Sequence, residues 1–272
     1  MYQLGWFSTG RDKAARDLLE AAWNSIQRGE IKAEIAFVFC TREPGEAPES
    51  DLFIKQVEDY GIPLICHSYQ KFKASQDTSA GQDRELPSWR LDYDREVMKQ
   101  LADFRPDLCV LAGYMLIVGQ EMCQRYHMVN LHPAAPDGPA GTWQEVIWQL
   151  MDSQAQETGV MMHLVTPELD KGPPVTFCTF SIRGEPFERY WRELEKLSPD
   201  SPERRSEDNP LFKLVRQHGL AREFPLIIAT LKAFSEGKVE IMDGKVVDAG
   251  GKAINGYDLT HEINEAVKKE VG

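Results

Sequence analysis

The fold class is indicated first by residues 3–40, QLGWFSTGRDKAARDLLEAAWNSIQRGEIKAEIAFVFC. In this segment one amphipathic stretch joins two apolar runs. The run Gln3–Ser8 predicts a buried strand, Ala14–Arg28 predicts a helix, and Ala33–Cys40 predicts a second strand. Strands that alternate with helices in this way are typical of a parallel sheet covered by helices.

The same alternation continues through the first two thirds of the chain. Further strands are predicted at Pro63–Cys66, Leu108–Ala112, Met128–Leu131, Thr158–Val165 and Val175–Ile182. Further helices are predicted at Asp51–Tyr60, Tyr93–Phe104, Glu121–Tyr126 and Thr142–Met151, and the polar segments Ser68–Pro87 and Ser198–Pro210 are predicted to be loops. The pattern therefore predicts an α/β fold with a doubly wound, mostly parallel, Rossmann-like sheet.

The last third has a different pattern and predicts a C-terminal elaboration of helices and a hairpin. Leu220–Glu236 is predicted to be a helix, in which Pro225 must lie in the first turn or cause a kink. Asp243-Gly244 is a hairpin turn signal, and Thr260–Val271 predicts a charged amphipathic helix. We expect residues 1–272 to form a single domain, with its core in residues 1–183 and the elaboration in residues 184–272.

Composition narrows the classes of function. The formal net charge of −12 opposes binding to phosphate backbones, so a small-molecule substrate is expected and nucleic acid is not. The chain shows neither a signal peptide nor an apolar run of membrane-spanning length. Its five scattered cysteines form no C-x-x-C pair, which favours a reducing cytoplasm and argues against a disulfide framework or a zinc site.

Met128-Val-Asn-Leu-His-Pro133 is the segment that points most directly to chemistry. Asn130 and His132 point to the same face of a strand, because side chains alternate along it. The amide can donate a hydrogen bond to a carbonyl oxygen that is becoming negative, and the imidazole can exchange a proton near neutral pH. On its own, this motif also fits an asparagine that caps a turn and a histidine with a structural role.

Glu168-Leu-Asp-Lys-Gly-Pro173 follows the predicted strand that ends at Val165. The carboxylate of Asp170 on such a loop could orient a histidine, stabilise its cation or order a water molecule. An ordinary turn before Gly172-Pro173 is the alternative.

Taken together, these segments resemble the folate-dependent formyltransferase family. The resemblance runs from about Leu4 to Asp248 and is weaker at Ser68–Ser88 and Glu185–Ala221. The pieces that carry it are Leu111-Ala-Gly-Tyr-Met-Leu116, Asn130-Leu-His-Pro133, His163-Leu-Val-Thr-Pro-Glu-Leu-Asp170 and Gly172-Pro173. The chain is most similar to the members that formylate glycinamide ribonucleotide in purine synthesis.

The resemblance implies 10-formyltetrahydrofolate as co-substrate, a phosphorylated small-molecule amine as acceptor, no metal, and assembly as a homodimer. It implies catalysis by Asn130, His132 and Asp170. The implied folate-binding residues lie in two segments: Tyr114, Met115, Leu116 and Ile117, and then Thr166, Glu168 and Leu169. The implied contacts to the acceptor phosphate are Gly10, Arg11, Lys13 and Arg90.

Two departures concern the acceptor. The first loop contains Asp12, which opposes a phosphate unless it caps the following helix and points away. The related enzymes also have a glutamate about five residues before the proline that matches Pro225, where this chain has Leu220. The alternatives therefore stay open: another amine such as a sugar nucleotide, hydrolysis of formyltetrahydrofolate, or folate binding without catalysis. Formylation of methionyl-tRNA is disfavoured, because residues 201–272 contain 11 basic and 12 acidic residues.

Overall fold

The computed structural model describes residues 1–76, 86–198 and 201–271, with side chains described as far as residue 268. The chain forms two compact units, Met1–Asn130 with Leu164–Gly172, and Leu131–His163 with Pro173–Gly272. The single domain that divides at residue 183 stays a prediction. Within the described ranges, no helix is both long enough and apolar enough to span a membrane.

The first unit is built on parallel strands. In the order of the sheet they are β5, β4, β1, β2 and β3, and each pairs in parallel with its neighbours. Their bounds are β1 Tyr2–Ser8, β2 Ala33–Cys40, β3 Leu64–Cys66, β4 Leu108–Leu111 and β5 Met128–His132. The chain therefore builds outward from β1 to β3 and then returns to the other side of β1. The point between β1 and β4 is where ligands bind in sheets of this type.

Helices cover both faces of these strands. Their bounds are α1 Lys13–Gln27, α2 Pro48–Asp59, α3 Tyr69–Ser75, α4 Ser88–Gln100 and α5 Gln120–Arg125. Trp6 and Phe7 lie on opposite faces of β1 because side chains alternate, and both are fully buried. Phe7 packs in a core with Phe37 and Phe39 from β2 and Tyr93 from α4. Burial on both faces confirms the predicted α/β class with a mostly parallel sheet.

The predicted loop Ser68–Pro87 was wrong at its beginning, where α3 forms. Ser68 caps this helix, since its hydroxyl accepts a hydrogen bond from the Lys71 amide at 3.1 Å. Tyr69 and Phe72 pack against the aromatic core, which stabilises a helix whose polar composition gives no periodic signal. Residues 77–85 of the predicted loop lie outside the described residues.

The second unit combines a small set of strands with longer helices. β6 is antiparallel to β7, and β10 pairs with β7 in parallel; their bounds are β6 Glu157–Leu164, β7 Pro174–Ser181 and β10 Tyr257–Asp258. The helices are α6 Trp143–Asp152, α7 Glu188–Glu195, α8 Pro210–Ser235 and α9 Thr260–Val271. The predicted hairpin is confirmed as β8 Val239–Met242 and β9 Lys245–Asp248, with Asp243 and Gly244 both at positive φ.

The helix predicted at Leu220–Glu236 begins ten residues earlier, at Pro210, so Pro225 lies inside α8 and not in its first turn. Asn209 caps the helix, because its side-chain oxygen accepts hydrogen bonds from the amides of Leu211 and Phe212. Proline is well suited to the first helical position, where its missing N–H costs nothing. The predicted loop Ser198–Pro210 therefore ends one residue earlier, at the cap.

Candidate active site

The carboxyl ends of β1 and β4 lie side by side at the point where the strand order reverses. The Thr9 amide donates to the Gly113 carbonyl at 3.1 Å, and the Met115 amide donates to the Thr9 hydroxyl at 3.4 Å. The Thr41 hydroxyl, after β2, donates to the same Thr9 hydroxyl at 3.0 Å. The loops that follow three neighbouring strands are thus tied together through one buried threonine.

The loop after β1 makes a tight turn into α1. Gly10 has φ +59°, and a Cβ there would lie 2.9 Å from Phe53, so this position needs glycine. Asp12 caps α1, because its side-chain oxygen accepts a hydrogen bond from the Ala15 amide at 3.0 Å. The two cations of the loop pair with carboxylates, Arg11 with Asp12 at 3.2 Å and Lys13 with Asp17 at 2.5 Å.

The segment after β4 displays apolar side chains. Tyr114 is buried and contacts Phe7 edge-on, with a ring separation of 5.8 Å, and Leu116 packs against the same core. Met115 and Ile117 point outward and are 54% and 37% exposed. Exposed apolar groups in a concave edge of an α/β sheet are a usual feature of small-molecule sites. The buried Tyr114 and the partly buried Leu116 therefore anchor the segment, and the exposed Met115 and Ile117 are available to a ligand.

Arg90 lies inside the first unit and not on its surface. One of its guanidinium nitrogens, Nη2, donates to Asp94 at 2.6 Å and to the Ile117 carbonyl at 2.7 Å. The side chains of Arg90 and Asp94 are only 4% and 2% exposed. Burial raises the pKa of Asp94 above its ordinary value, although the adjacent Arg90 charge and the Gly119 amide oppose that rise.

β5 carries the two residues on which the chemical prediction depends. Asn130 lies opposite Leu111 of β4 and is half-buried, whereas His132 is almost fully buried. His132 Nε2 lies 3.0 Å from the Pro139 carbonyl oxygen. A carbonyl can only accept, so Nε2 carries a proton, and Nδ1 is the accepting nitrogen whenever the ring is neutral.

His163 is a residue to which the sequence analysis assigned no role. It is buried on β6, and its ring stands at 90° to that of His132 with the centroids 6.3 Å apart. Its place in the quoted segment His163-Leu-Val-Thr-Pro-Glu-Leu-Asp170 was the available signal.

Leu164–Gly172 forms a closed loop in the first unit. The Val165 amide donates to the Met128 carbonyl at 2.8 Å, and the Thr166 hydroxyl donates to the Glu168 carbonyl at 3.0 Å. Leu169 is 62% exposed at the tip. Asp170 has φ +55°, a left-handed conformation that aspartate tolerates better than most residues.

The close return of this loop depends on Gly172. A Cβ at Gly172 would lie 1.6 Å from the carbonyl oxygen of Leu164, so no larger residue fits without moving the backbone. The ends of the loop are therefore held against each other, and the position of Asp170 is fixed by backbone packing.

The first unit thus gathers most of the predicted site residues at the carboxyl ends of its strands. Asn130 lies on β5. The loop at Gly10 follows β1, the folate segment Tyr114–Ile117 follows β4, and the folate segment Thr166–Leu169 follows Val165, which bonds to β5. His132 follows Asn130 on the same strand. No group of three histidine, cysteine or acidic side chains suited to a metal ion occurs within the described parts of the chain.

Known proteins share parts of this sequence and its fold. The family described as formyl transferase matches residues 13–185. The phosphoribosylglycinamide formyltransferase of Schizosaccharomyces pombe is 24% identical over 61% of this chain and 76% of its own length. That of Saccharomyces cerevisiae is 29% identical over 47% of this chain and 63% of its own length.

A solved phosphoribosylglycinamide formyltransferase from Coxiella burnetii has the same fold. It superposes with a TM-score of 0.63 over 94% of this chain and 98% of its own, at 20% sequence identity. The matched family segment includes β5 and the loop Leu164–Gly172, and it covers more than half of the chain. The chain therefore belongs to the formyl transferase family.

Proposed function

We propose that this protein transfers the formyl group of 10-formyltetrahydrofolate to the primary amine of glycinamide ribonucleotide. The observation that carries the proposal is Asn130 on β5, which pairs with β4, together with the exposed apolar side chains of Met115 and Ile117 in the segment that follows β4. His132 lies two residues after Asn130 on the same strand. An amide hydrogen-bond donor and an imidazole suit formyl transfer, and an apolar surface suits a folate donor.

The chemical steps follow from the residues on β5. The neutral amine nitrogen attacks the formyl carbon, and the carbonyl electrons move to oxygen. The Asn130 amide and the cationic form of His132 donate hydrogen bonds to that oxyanion, and one such donor typically lowers a barrier by about 3 kcal/mol. The intermediate then collapses, the bond from carbon to N10 of the folate breaks, and the proton lost by the amine ends on N10.

Asp170 is assigned the support of this charge and of the proton transfer. A carboxylate stabilises an imidazolium and can hold a water molecule that carries the proton from the amine to N10. The left-handed backbone of Asp170 and the close packing at Gly172 give this carboxylate a defined position within its loop. We expect its replacement to slow the chemical step while leaving the fold intact.

The donor would bind along two apolar segments. Met115 and Ile117 offer an exposed apolar surface over the buried Tyr114, and Leu169 offers another on the loop Leu164–Gly172. A pteridine ring is flat and partly apolar, so these side chains suit its faces, and the backbone groups of the same segments suit its polar edge. Thr166 and Glu168 belong to this proposed donor site.

The acceptor phosphate is assigned to the loop at Gly10, Arg11 and Lys13, at the amino end of α1. Arg11 and Lys13 are 51% and 76% exposed and are paired with carboxylates. Exposed pairs of this kind contribute only about 0–1 kcal/mol, so a phosphate can replace the carboxylates at little cost. Leu220 is exposed and stands where the related enzymes have a glutamate. We therefore expect this protein to recognise the amine end of the acceptor differently from those enzymes.

The experiment is an absorbance assay of donor consumption with glycinamide ribonucleotide and without an acceptor. Acceptor-dependent turnover supports the proposal. Turnover at the same rate without an acceptor identifies a hydrolase, and donor binding without turnover identifies a folate-binding protein; either result contradicts the proposal.

A further inference from the structure

Two backbone groups of the segment after β4 are held by one buried ion pair. Arg90 Nη2 donates to the Ile117 carbonyl at 2.7 Å, and Asp94 Oδ2 accepts from the Gly119 amide at 2.7 Å. The ion pair itself measures 2.6 Å, between Arg90 Nη2 and Asp94 Oδ1. The two side chains lie one turn apart on α4, so this helix forms hydrogen bonds to the backbone on both sides of Val118.

The fit around this contact is close. A Cβ at Gly119 would lie 2.7 Å from Leu91 Cδ2 and 3.0 Å from Asp94 Oδ2, so only glycine lets the backbone approach the carboxylate without displacement. The Arg90 guanidinium also lies over the ring of Tyr93, 5.3 Å from its centroid. The cation is therefore fixed by an aromatic face as well as by its hydrogen bonds.

Two side chains of the segment Tyr114–Gly119 are not stabilised by burial. Met115 and Ile117 expose their side chains, so the hydrophobic effect favours a collapsed arrangement in which both are covered. Charge-assisted hydrogen bonds to the backbone in a dry interior oppose that collapse and leave the side chains displayed. A surface ready for an apolar ligand then exists before the ligand arrives.

We propose that Arg90 is a positioning residue of the donor site, which acts with Asp94 to hold Tyr114–Gly119 in the conformation that binds the folate. This inference rests on the proposed function. The phosphate contact that the resemblance implied for Arg90 stays a prediction, because Nε and Nη1 are buried without a hydrogen-bond partner among the described residues. The geometric reason for a positioning role is that Nη2 donates to Asp94 and to the Ile117 carbonyl within a side chain that is 4% exposed.

The test separates donor binding from acceptor use. Arg90→Met, Asp94→Asn and Gly119→Ala are compared with the wild type in two measurements: the Kd of 10-formyl-5,8-dideazafolate by calorimetry, and the KM of glycinamide ribonucleotide at saturating donor. The matched control is Arg95→Met, because Arg95 lies on the same helix and pairs with Glu121 on the exposed surface at 2.6 Å. Circular dichroism checks that each variant is folded.

All three test variants should raise the donor Kd by about tenfold or more, because each disturbs a hydrogen bond that holds the backbone of Tyr114–Gly119. The KM of the acceptor should stay unchanged in Asp94→Asn and Gly119→Ala. The control should bind donor as the wild type does. Arg90→Met combined with Asp94→Asn should be no worse than the poorer single variant, because the two residues act as a unit. Gly119→Ala keeps both charges, so it tests the same backbone even if Arg90→Met does not fold.

Three outcomes overturn the inference. A raised acceptor KM with an unchanged donor Kd in Arg90→Met assigns Arg90 to the acceptor phosphate. A loss of donor affinity confined to Arg90→Met, and absent for a pteroate ligand without the glutamate tail, assigns Arg90 to that carboxylate. Wild-type donor affinity in all three folded variants removes any role in positioning. If the wild type itself binds no donor, the proposed function fails.

Discussion

Replacing Gly172 by alanine tests whether the loop Leu164–Gly172 positions the chemistry. The added Cβ would lie 1.6 Å from the Leu164 carbonyl oxygen and 2.7 Å from its carbonyl carbon. A relaxed carbon-to-oxygen contact is about 3.3 Å, so the two backbone segments must separate by roughly 1.7 Å. Both contacts are backbone atoms, so no side-chain rotation can relieve them.

The displacement acts on a loop that includes Asp170, Thr166 and Leu169. A misplacement of about 1 Å can cost about a hundredfold in rate, so we expect kcat/KM in Gly172→Ala to fall by at least that factor. Donor consumption in the presence of glycinamide ribonucleotide measures the rate, and circular dichroism with thermal unfolding reports on the fold.

A second glycine provides the matched control. Gly219 lies inside α8, its φ is not in the left-handed region, and a Cβ there meets no atom within 4 Å. Gly219→Ala adds the same methyl group without a collision and should keep the rate. If Gly172→Ala folds normally and turns over as fast as Gly219→Ala, the loop does not position the reaction and the reasoning is refuted.

The remaining predictions concern stability and the acceptor loop. Gly219→Ala should raise the free energy of unfolding by up to about 1 kcal/mol, because alanine is the better helix former; urea unfolding that shows a loss would contradict an open position. Burial and the Arg222 charge lower the pKa of His218, so the unfolded state binds the proton more readily and wild-type stability should fall as pH drops below about 6.5. His218→Gln should lose that part of the pH dependence of Tm, and an identical pH profile in both proteins would exclude His218 as its source. Asp12→Ser keeps the cap of α1 but removes a negative charge, so the KM of glycinamide ribonucleotide should fall with little change in Tm; an unchanged KM would place the phosphate elsewhere.

Long periodic segments and turn signals were predictable from the sequence. The strand at Ala33–Cys40 and the helix at Thr260–Val271 have the predicted bounds, because each has a continuous apolar pattern. The hairpin at Asp243-Gly244 followed from its turn residues. These features are encoded locally and need no knowledge of the rest of the chain.

Elements that depend on tertiary contacts were not predictable. α3 is a short, polar helix stabilised by the packing of Phe72, and β10 has only two residues, Tyr257 and Asp258, which is too short for any period. α8 continues through Gly219 and Pro225, both of which disfavour a helix interior, because most of its apolar side chains are buried. Tertiary burial outweighs local preference in each case.

The candidate site also has features that the sequence predicts and features that it does not. The motif around Asn130 and His132 places both residues on one strand from spacing alone. His163 and His132 are far apart in the chain, so the sequence gives no sign of their ring contact. Arg90 and Asp94 share a face of α4, but the sequence pattern did not show that this face is buried. Their roles became visible only with the distances.

Mass spectrometry of the acceptor tests directly whether this protein formylates glycinamide ribonucleotide. Glycinamide ribonucleotide is incubated with 10-formyltetrahydrofolate and either the wild type or His132→Ala, and formylated acceptor, free formate and tetrahydrofolate are quantified together. The wild type should form one formylated acceptor for each folate consumed, and a folded His132→Ala variant should react more slowly by several orders of magnitude. Free formate without formylated acceptor, or an unimpaired His132→Ala variant, would contradict the proposed function and mechanism.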